Sequence, residues 1–445
     1  MTQQIAPYSP HIGFISLGCP KATVDSERIL TRLRAEGYII APNYASADLV
    51  IINTCGFIDE AIEESLATIA EALEENGQVI ITGCLGARAD FIRAHYPEVL
   101  AITSAHAYDE VIAAVHQHLI PPERPPFAQV LPPQGVKLTP PHYAYIKIAE
   151  GCDHHCCFCI IPSLRGRQVS RSLPDIMTEA ENLIAAGVHE LLIIAQDTTA
   201  YGRDLKHQLD FWHSRPLRTD LATLAQQLGM LPAWVRLHYL YPYPQLDQLV
   251  TLMGEGVIVP YLDLPLQHAS PTVLRAMRRP AATEQLLTRL DHWRQLCPDL
   301  TVRSTFIVGF PGETDEDFNQ LIEFLSVAQL DRVGAFTYSA VEGAAANQLP
   351  NPVPDDIKQA RLAHLMTTQA EISRIKLTQK IGQKITVLVD EVNDEQCIAR
   401  STADAPEIDG TVIIPGAWEL EPGDFIEVIV TDSSEYDLTA EPVCD

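Results

Sequence analysis

Hydrophobic positions in the first 110 residues fall into short apolar runs separated by stretches of helical period. The run 12–17 is followed by a segment that sets Ile29, Leu30 and Leu33 on one helix face. Runs at 49–53 and 79–82, with a helical stretch over 59–75 between them, repeat the alternation. Such alternation predicts a parallel α/β layer. Residues 121–141 contain eight prolines and read as an extended, semi-rigid linker. Beyond it, strands are expected at 144–148, 191–195, 234–239, 261–266, 302–308 and 332–338, mostly separated by helical segments. Six β/α units predict an incomplete barrel, whose chemistry belongs on the loops after the strands' carboxyl ends. A long helix over 355–380 closes this block. Short runs then follow at 385–389, 411–414 and 425–430, punctuated by Gly410, Gly416 and Gly423, as expected for a small β-barrel. The pattern divides the chain into an α/β domain (1–120), the linker (121–141), a barrel core (142–378) and a small β-barrel (379–445).

Composition narrows the class of protein. At 445 residues and 47% hydrophobic, the chain has enough apolar material for two or three cored domains. Its ten cysteines come with no basic segment followed by an apolar stretch in residues 1–15. No apolar run approaches the ~20 residues of a membrane span. A soluble cytoplasmic protein is expected, with thiols serving metals or catalysis rather than disulfides. The formal charge of −27 disfavours a protein that grips nucleic acid through its phosphates, which requires a basic stripe. Residues 380–445 hold 16 Asp or Glu against 3 Lys or Arg, a formal −13. Such a bias is either a solvated surface or an electrostatic landing site for a basic partner.

Candidate chemistry concentrates in the run Glu150-Gly-Cys-Asp-His-His-Cys-Cys-Phe-Cys159, where Cys152, Cys156 and Cys159 have C-x3-C-x2-C spacing. Iron–sulfur clusters are normally held by four thiolates, so three imply an iron left open for substrate. The competing reading is a zinc site with His154 or His155 as fourth ligand, although zinc sites usually draw on two separated ligand pairs. Cys157 breaks the ligand register and reads as a bystander. In the first domain, Cys19, Cys55 and Cys84 each fall one or two residues past an expected strand end, beside Gly18, Gly56 and Gly83 or Gly86. Ligands of open parallel sheets sit outside those strand ends, so the three can converge on a second cluster. Individually, each reads more readily as a buried small hydrophobe, and it is their shared position that favours a cluster.

With these residues in place, the chain resembles the radical S-adenosylmethionine (SAM) methylthiotransferases along nearly its whole length. Within that family it looks like the ribosomal, or RimO, type. The stretches that carry the closer match are Cys159-Ile-Ile-Pro-Ser-Leu-Arg-Gly166, Ala195-Gln-Asp-Thr-Thr-Ala-Tyr-Gly202, His238-Tyr-Leu-Tyr-Pro-Tyr-Pro244, Leu264-Pro-Leu-Gln-His-Ala-Ser-Pro271, Arg303-Ser-Thr-Phe-Ile-Val-Gly-Phe-Pro-Gly-Glu313 and Ala403-Asp-Ala-Pro-Glu-Ile-Asp-Gly410. The resemblance implies a flavodoxin-like N-terminal domain, a (β/α)6 radical SAM core and a C-terminal TRAM barrel. It implies addition of a methylthio group to the β-carbon of an aspartate in the twelfth small-subunit ribosomal protein. Cys152, Cys156 and Cys159 would hold the radical-generating [4Fe-4S] cluster, and Cys19, Cys55 and Cys84 an auxiliary [4Fe-4S] cluster. S-adenosyl-L-methionine would serve twice, as methyl donor and as radical source. An aspartyl β-carbon has no acidic hydrogen and no electrophilic character, so the new C–S bond needs a radical route.

For the cofactor's methionine end and ribose, the loop candidates are Gln196, Asp197, Gln267, His268, Ser304, Gly309 and Glu313. Arg165 and Arg167 are candidates to steer an acidic target, or to meet solvent or phosphate. Tyr239, Tyr241 and Tyr243 read as mouth lining or as aromatic packing. The expected partners are a basic ribosomal protein docked on the acidic TRAM barrel and a low-potential donor such as flavodoxin or ferredoxin. No membrane is expected. A tRNA adenosine methylthiotransferase would share all six cysteines, but its barrel should be basic. The rival from another class is a non-catalytic iron–sulfur or zinc module that docks on the ribosome.

Overall fold

A computed structural model describes residues 9–122, 132–279 and 283–443. Residues 1–8, within the segment expected to lack a leader, and 123–131 of the expected linker lie outside the described residues. The chain forms two compact units. One comprises residues up to Thr139 together with Glu150–His154 and Cys159–Val169, and the other comprises Pro140–Ala149, His155–Phe158 and Ser170–Asp445. The small C-terminal barrel thus clusters with the core, and most of the cysteine loop clusters with the N-terminal layer.

The first unit is built on a parallel sheet of His11–Ser16, Ile39–Ile40, Leu49–Thr54, Val79–Gly83 and Ala101–Ile102. Their spatial order is second, first, third, fourth, fifth, the flavodoxin-like order. Leu49–Thr54 is buried at all six positions, as a strand covered on both faces must be. Its alternation divides the cores. Ile51 joins Ile29 and Leu33 of helix Pro20–Glu36 and Val111 and Val115 of helix Tyr108–His118. Val50 and Ile52 join Ile62 and Ile69 of helix Asp59–Glu75 and Ile92 of helix Ala89–His95.

The second unit contains six parallel strands, Tyr143–Lys147, Glu190–Ile194, Trp234–Leu237, Tyr261–Asp263, Thr301–Val308 and Arg332–Thr337, hydrogen-bonded in chain order. This is the expected incomplete barrel. Two strands end earlier than their apolar runs suggest, at Leu237 and Asp263, and the loops beyond them pass through positive φ at Tyr239 (58°) and Gln267 (73°). Helix Asp355–Thr378 closes the core. A hairpin of Leu209–Trp212 and Arg215–Arg218 was not legible as a strand pair. No helix among the described residues is long and apolar enough to cross a membrane.

The C-terminal barrel is closed and has five strands rather than the three expected: Lys384–Val392, Gln396–Ser401, Val412–Pro415, Leu438–Pro442 and Phe425–Ser433 in spatial order. Its charge is also divided differently from a uniformly solvated or docking surface. Glu190 of the core is fully buried between Arg236 (Nε–Oε1 2.7 Å) and Arg400 of the barrel (Nη1–Oε2 2.6 Å). Asp390 accepts from Arg400 (2.7 Å) and faces His142 (2.8 Å). Buried Asp404 pairs with Arg332, and Asp409 pairs with Arg303 (3.3 Å) while accepting from the Tyr261 hydroxyl. Asp404 and Asp409 neutralise core arginines, Glu190 neutralises Arg400 of the barrel and Asp390 reaches His142 of the core, so these pairs fasten the barrel to the core. Glu391, Glu395, Glu419 and Glu421 remain exposed.

Candidate active site

Cys19, Cys55 and Cys84 follow the first, third and fourth strands of the N-terminal sheet. The first and third strands are neighbours at the point where strand order reverses, the crevice in which open α/β sheets bind ligands. Cys19 caps helix Pro20–Glu36 through its carbonyl, which accepts from the amides of Ala22 (2.7 Å) and Thr23 (3.1 Å). Gly18 sits at φ +101°, and a Cβ there would stand 3.2 Å from Cys55 Cβ and 3.5 Å from its Sγ, so the two loops pack at a glycine.

The three thiols sense one another. Burial pushes the Cys84 thiol up to about 11, the Arg165 guanidinium opposes that, and Cys19 and Cys55 add to it. Desolvation is likewise the largest influence at Cys55, which is raised, with Cys19 adding to the rise. At Cys19 desolvation also pushes up, but the Lys21 ammonium, the Ala22 and Lys21 amides and Arg165 outweigh it and hold the thiol below its ordinary value. Cys19 keeps exposed surface, so the group is open on one side. Among the described residues no three His, Cys, Asp or Glu side chains are placed to hold one metal ion. A cubane cluster presents its irons at separate corners, so its thiolates need not converge on one atom.

Arg165, at the end of helix Ile161–Arg165, lies in this same unit. Its side chain is buried; Nε donates to Cys84 Sγ (3.2 Å), and Nη1 donates to Asp25 Oδ2 (3.0 Å) and Glu150 Oε1 (2.9 Å). Nη2 is buried with no acceptor among the described residues. The structure therefore removes the solvated reading of Arg165, while Arg167 is exposed and pairs with Asp153 at 3.2 Å. A polar donor set of three thiols, one buried guanidinium and one orphaned N–H pair suits a sulfur-bearing group rather than an apolar core.

The loop that carries the second triad is fixed by the chain on both sides. The Cys152 amide donates to Gly166 O (3.1 Å), and Gly151, at φ +77°, passes so close to Arg167 O that a Cβ would lie 2.2 Å from it. The amide of His154 points at Cys152 Sγ (3.4 Å) and that of Ile161 at Cys159 Sγ (3.5 Å). In the second unit, Arg279 Nη1 stands 4.0 Å from Cys156 Sγ and its guanidinium lies over Tyr241 at 4.2 Å. Cys157 packs with Val273, Met277, Phe310, Tyr338 and Ala346, and its thiol donates to Ala276 O (2.9 Å). It anchors the loop's apolar side.

The expected cofactor residues follow strand carboxyl ends of the core, except Ser304, which lies within strand Thr301–Val308. Asp197 caps the turn Thr198–Ala200 and accepts from Tyr243 Oη (3.2 Å). Gln196 precedes it, two residues past strand Glu190–Ile194. Gln267 exchanges main-chain bonds with Thr305 and Ile307 beside Phe306. Ser304 Oγ accepts from the Leu266 amide (3.2 Å). Glu313 binds the amides of Gly309 (2.8 Å) and Phe310 (3.2 Å) with one oxygen and Arg361 (2.9 Å) with the other. His268 is buried; Nδ1 accepts from the Ser270 amide (2.9 Å), while Nε2 has no hydrogen-bond partner among the described residues and stands 3.5 Å from Glu313. Tyr239 gives its amide to Asp263 (3.0 Å), and Tyr241 and Tyr243 pack ring to ring at 4.8 Å.

Sequence reasoning missed Asp25 and Arg279. Asp25 shares a helix face with Ile29 and Leu33 at four-residue spacing, and an acid on an apolar stripe was the available signal. Arg279 had none, because only the fold brings it to Cys156.

An open parallel α/β layer bearing three loop cysteines, with a six-stranded β/α core whose first strand leads into C-x3-C-x2-C, defines a radical SAM enzyme with an auxiliary domain. Comparison with known proteins agrees: residues 146–325 match the Radical SAM superfamily, 381–443 the TRAM domain, and 11–102 the uncharacterized protein family UPF0004. A TsrM radical SAM methyltransferase from Kitasatospora setae, solved with cobalamin and a [4Fe-4S] cluster, shares the fold at TM-score 0.52 and 13% identity, over 74% of this chain and 75% of that one. Ribosomal protein uS12 methylthiotransferases RimO from Aromatoleum aromaticum and Methylobacillus flagellatus are 61% and 60% identical, covering 100% and 98% of both chains. The chain belongs to the RimO family of ribosomal protein uS12 methylthiotransferases.

Proposed function

We propose that this chain adds a methylthio group to the β-carbon of an aspartate in ribosomal protein uS12, using S-adenosyl-L-methionine and two [4Fe-4S] clusters, in the cytoplasm. The observation that supports it most is end-to-end identity of about 60% with relatives bearing that activity in their names. When bound, the cofactors supply one-electron chemistry and a sulfur source, which no side chain of the protein offers.

The chain's own part is holding, orienting and excluding. Cys152, Cys156 and Cys159 hold one cluster, and Cys19, Cys55 and Cys84 the other. Gly151 and the Cys152 amide fix the first loop, and Cys157 roots it in the core. Of the strand-end residues, Gln196, Gln267 and His268 are assigned to contact the cofactor. Asp197, Ser304, Gly309 and Glu313 hold the loops that present it, since their polar groups are spent on turns and amides. Radical transfer is intolerant of misplacement, so rigid loop ends are the relevant property. The exposed acids Glu391, Glu395, Glu419 and Glu421 receive the basic substrate protein, and a low-potential flavodoxin or ferredoxin supplies electrons.

The test is anaerobic reconstitution with iron and sulfide, then reaction with S-adenosylmethionine, reductant and purified uS12, read by intact and fragment mass spectrometry. One methylthio group on an aspartate is expected. Reductive cleavage of S-adenosylmethionine without modification of uS12 would refute the substrate and turn attention to tRNA. No cleavage from protein holding both clusters would favour a non-catalytic docking module.

A further inference from the structure

We propose that Arg165 is the positioning residue of the auxiliary cluster, holding the Cys84 sulfur with Nε and offering Nη2 to a second sulfur of the bound cluster. The inference rests on the reading of Cys19, Cys55 and Cys84 as that cluster's ligands. Three observations carry it. The guanidinium touches a ligand sulfur directly, at 3.2 Å. Its opposite edge is fully used, with Nη1 held by Asp25 and Glu150, so the side chain has one orientation. Nη2 is buried without an acceptor among the described residues, and buried donors are rarely left so.

The placement has a chemical consequence. A guanidinium is permanently charged, and its fork fixes two donors in one plane. Hydrogen bonds to cluster sulfurs and nearby positive charge stabilise the more reduced, more negative state, which raises the reduction potential. Asp25 and Glu150 keep the charge from being isolated, and Asp25 is itself steadied by the Tyr108 hydroxyl. Arg165 also spans chemistry and sequence: it follows Cys159 by six residues, so the segment that supplies one triad supplies the donor for the other. The sequence alone offered a substrate-steering role for this arginine, and burial against Cys84 assigns it to the cluster instead.

The experiment uses the full chain with Cys152→Ala, Cys156→Ala and Cys159→Ala, so that only the auxiliary triad can be loaded. Iron and sulfide content, circular dichroism and the reduction potential by spectroscopic titration are compared for Arg165, Arg165→Lys and Arg165→Gln. The expected result is a retained fold with the potential moved negative, least in the Lys variant, which keeps the charge but loses the fork. Folded Arg165→Lys protein that loses iron would also support the proposal, because the Cys84 ligand is then unheld. Should Arg165→Gln fail to fold, Arg165→Gln with Asp25→Asn removes the unpaired acid and is titrated in its place. Full iron with an unchanged potential in the substituted chains would overturn it, as would loss of fold in all of them, leaving Arg165 a structural ion-pair hub. No cluster on the triad with Arg165 intact would instead refute the three-cysteine reading, which separates the two failures.

Discussion

The acidic barrel yields a prediction in which fold and docking separate cleanly. Asp404 is 1% exposed and accepts from Arg332 and from Ser401 Oγ (2.7 Å). Asp404→Ala leaves Arg332, 7% exposed, with the Tyr436 carbonyl (3.0 Å) as its remaining hydrogen-bond acceptor among the described residues, and with Asp409 and Asp331 as the nearby negative charges. Removing one partner of a buried ion pair costs about 3–5 kcal/mol, because the other charge stays in the interior. With a urea slope of about 1–3 kcal/mol per molar, the unfolding midpoint should fall by roughly 1–5 M. The contrasting set is Glu391, Glu395, Glu419 and Glu421 reversed to Lys, all at exposed positions. Substitutions of that kind usually change stability by within about 0.5 kcal/mol each. At roughly 0.2–1 kcal/mol per exposed charge contact, the four together should weaken binding of the basic ribosomal protein by about 1–4 kcal/mol at low salt. The loss should shrink as salt screens the surface. Urea unfolding with a barrel-sensitive probe and equilibrium binding at two salt concentrations measure both. An Asp404→Ala midpoint no lower than that of the surface set would refute the fastening role, and unchanged affinity in the surface set would refute docking on the barrel.

Cys55→Ala should spare reductive cleavage of S-adenosylmethionine while stopping sulfur insertion, whereas Cys156→Ala should abolish both; product analysis by mass spectrometry distinguishes them, and methylthiolation by Cys55→Ala would defeat the auxiliary-cluster assignment. Gly151→Ala would set a Cβ against Arg167 O at 2.2 Å, so iron bound by the C-x3-C-x2-C loop should fall while iron on Cys19, Cys55 and Cys84 persists, as metal analysis of each triad alone would show. Asp263 is pushed up by burial, but the hydrogen bond from His238 and the charges of Arg303 and His238 outweigh it and bring its carboxyl down to about 2 from an ordinary 3.8. A depressed acid stabilises the fold above its unfolded value and stops doing so as pH falls through the folded one. About 2 kcal/mol should therefore be lost between pH 4 and 2, and Asp263→Asn should flatten that part of the stability profile relative to the parent chain.

The six core strands, the N-terminal alternation and the closing helix were legible because buried parallel strands are written as short apolar runs and helices as 3.6-residue periods. Strands such as Gln396–Ser401 and Leu438–Pro442 were not, because their barrel-facing residues, Cys397, Ala399, Leu438 and Ala440, are few and mostly small and alternate with residues such as Arg400, Thr439 and Glu441. Cysteine spacing needed no tertiary structure to suggest a three-thiolate loop, since ligand spacing within one loop is a property of the chain itself. What only tertiary structure decided is which charges are spent inside. Asp404 and Asp409 are indistinguishable in sequence from Glu419 and Glu421, yet the first pair closes on core arginines and the second faces water. Arg165 likewise read as a group that steers an acidic target or meets solvent or phosphate, until the helix it ends set it against Cys84 and Asp25, 81 and 140 residues away along the chain. Local spacing determines candidate ligands, while long-range packing determines the dielectric and partners around each charge, and those set its chemistry.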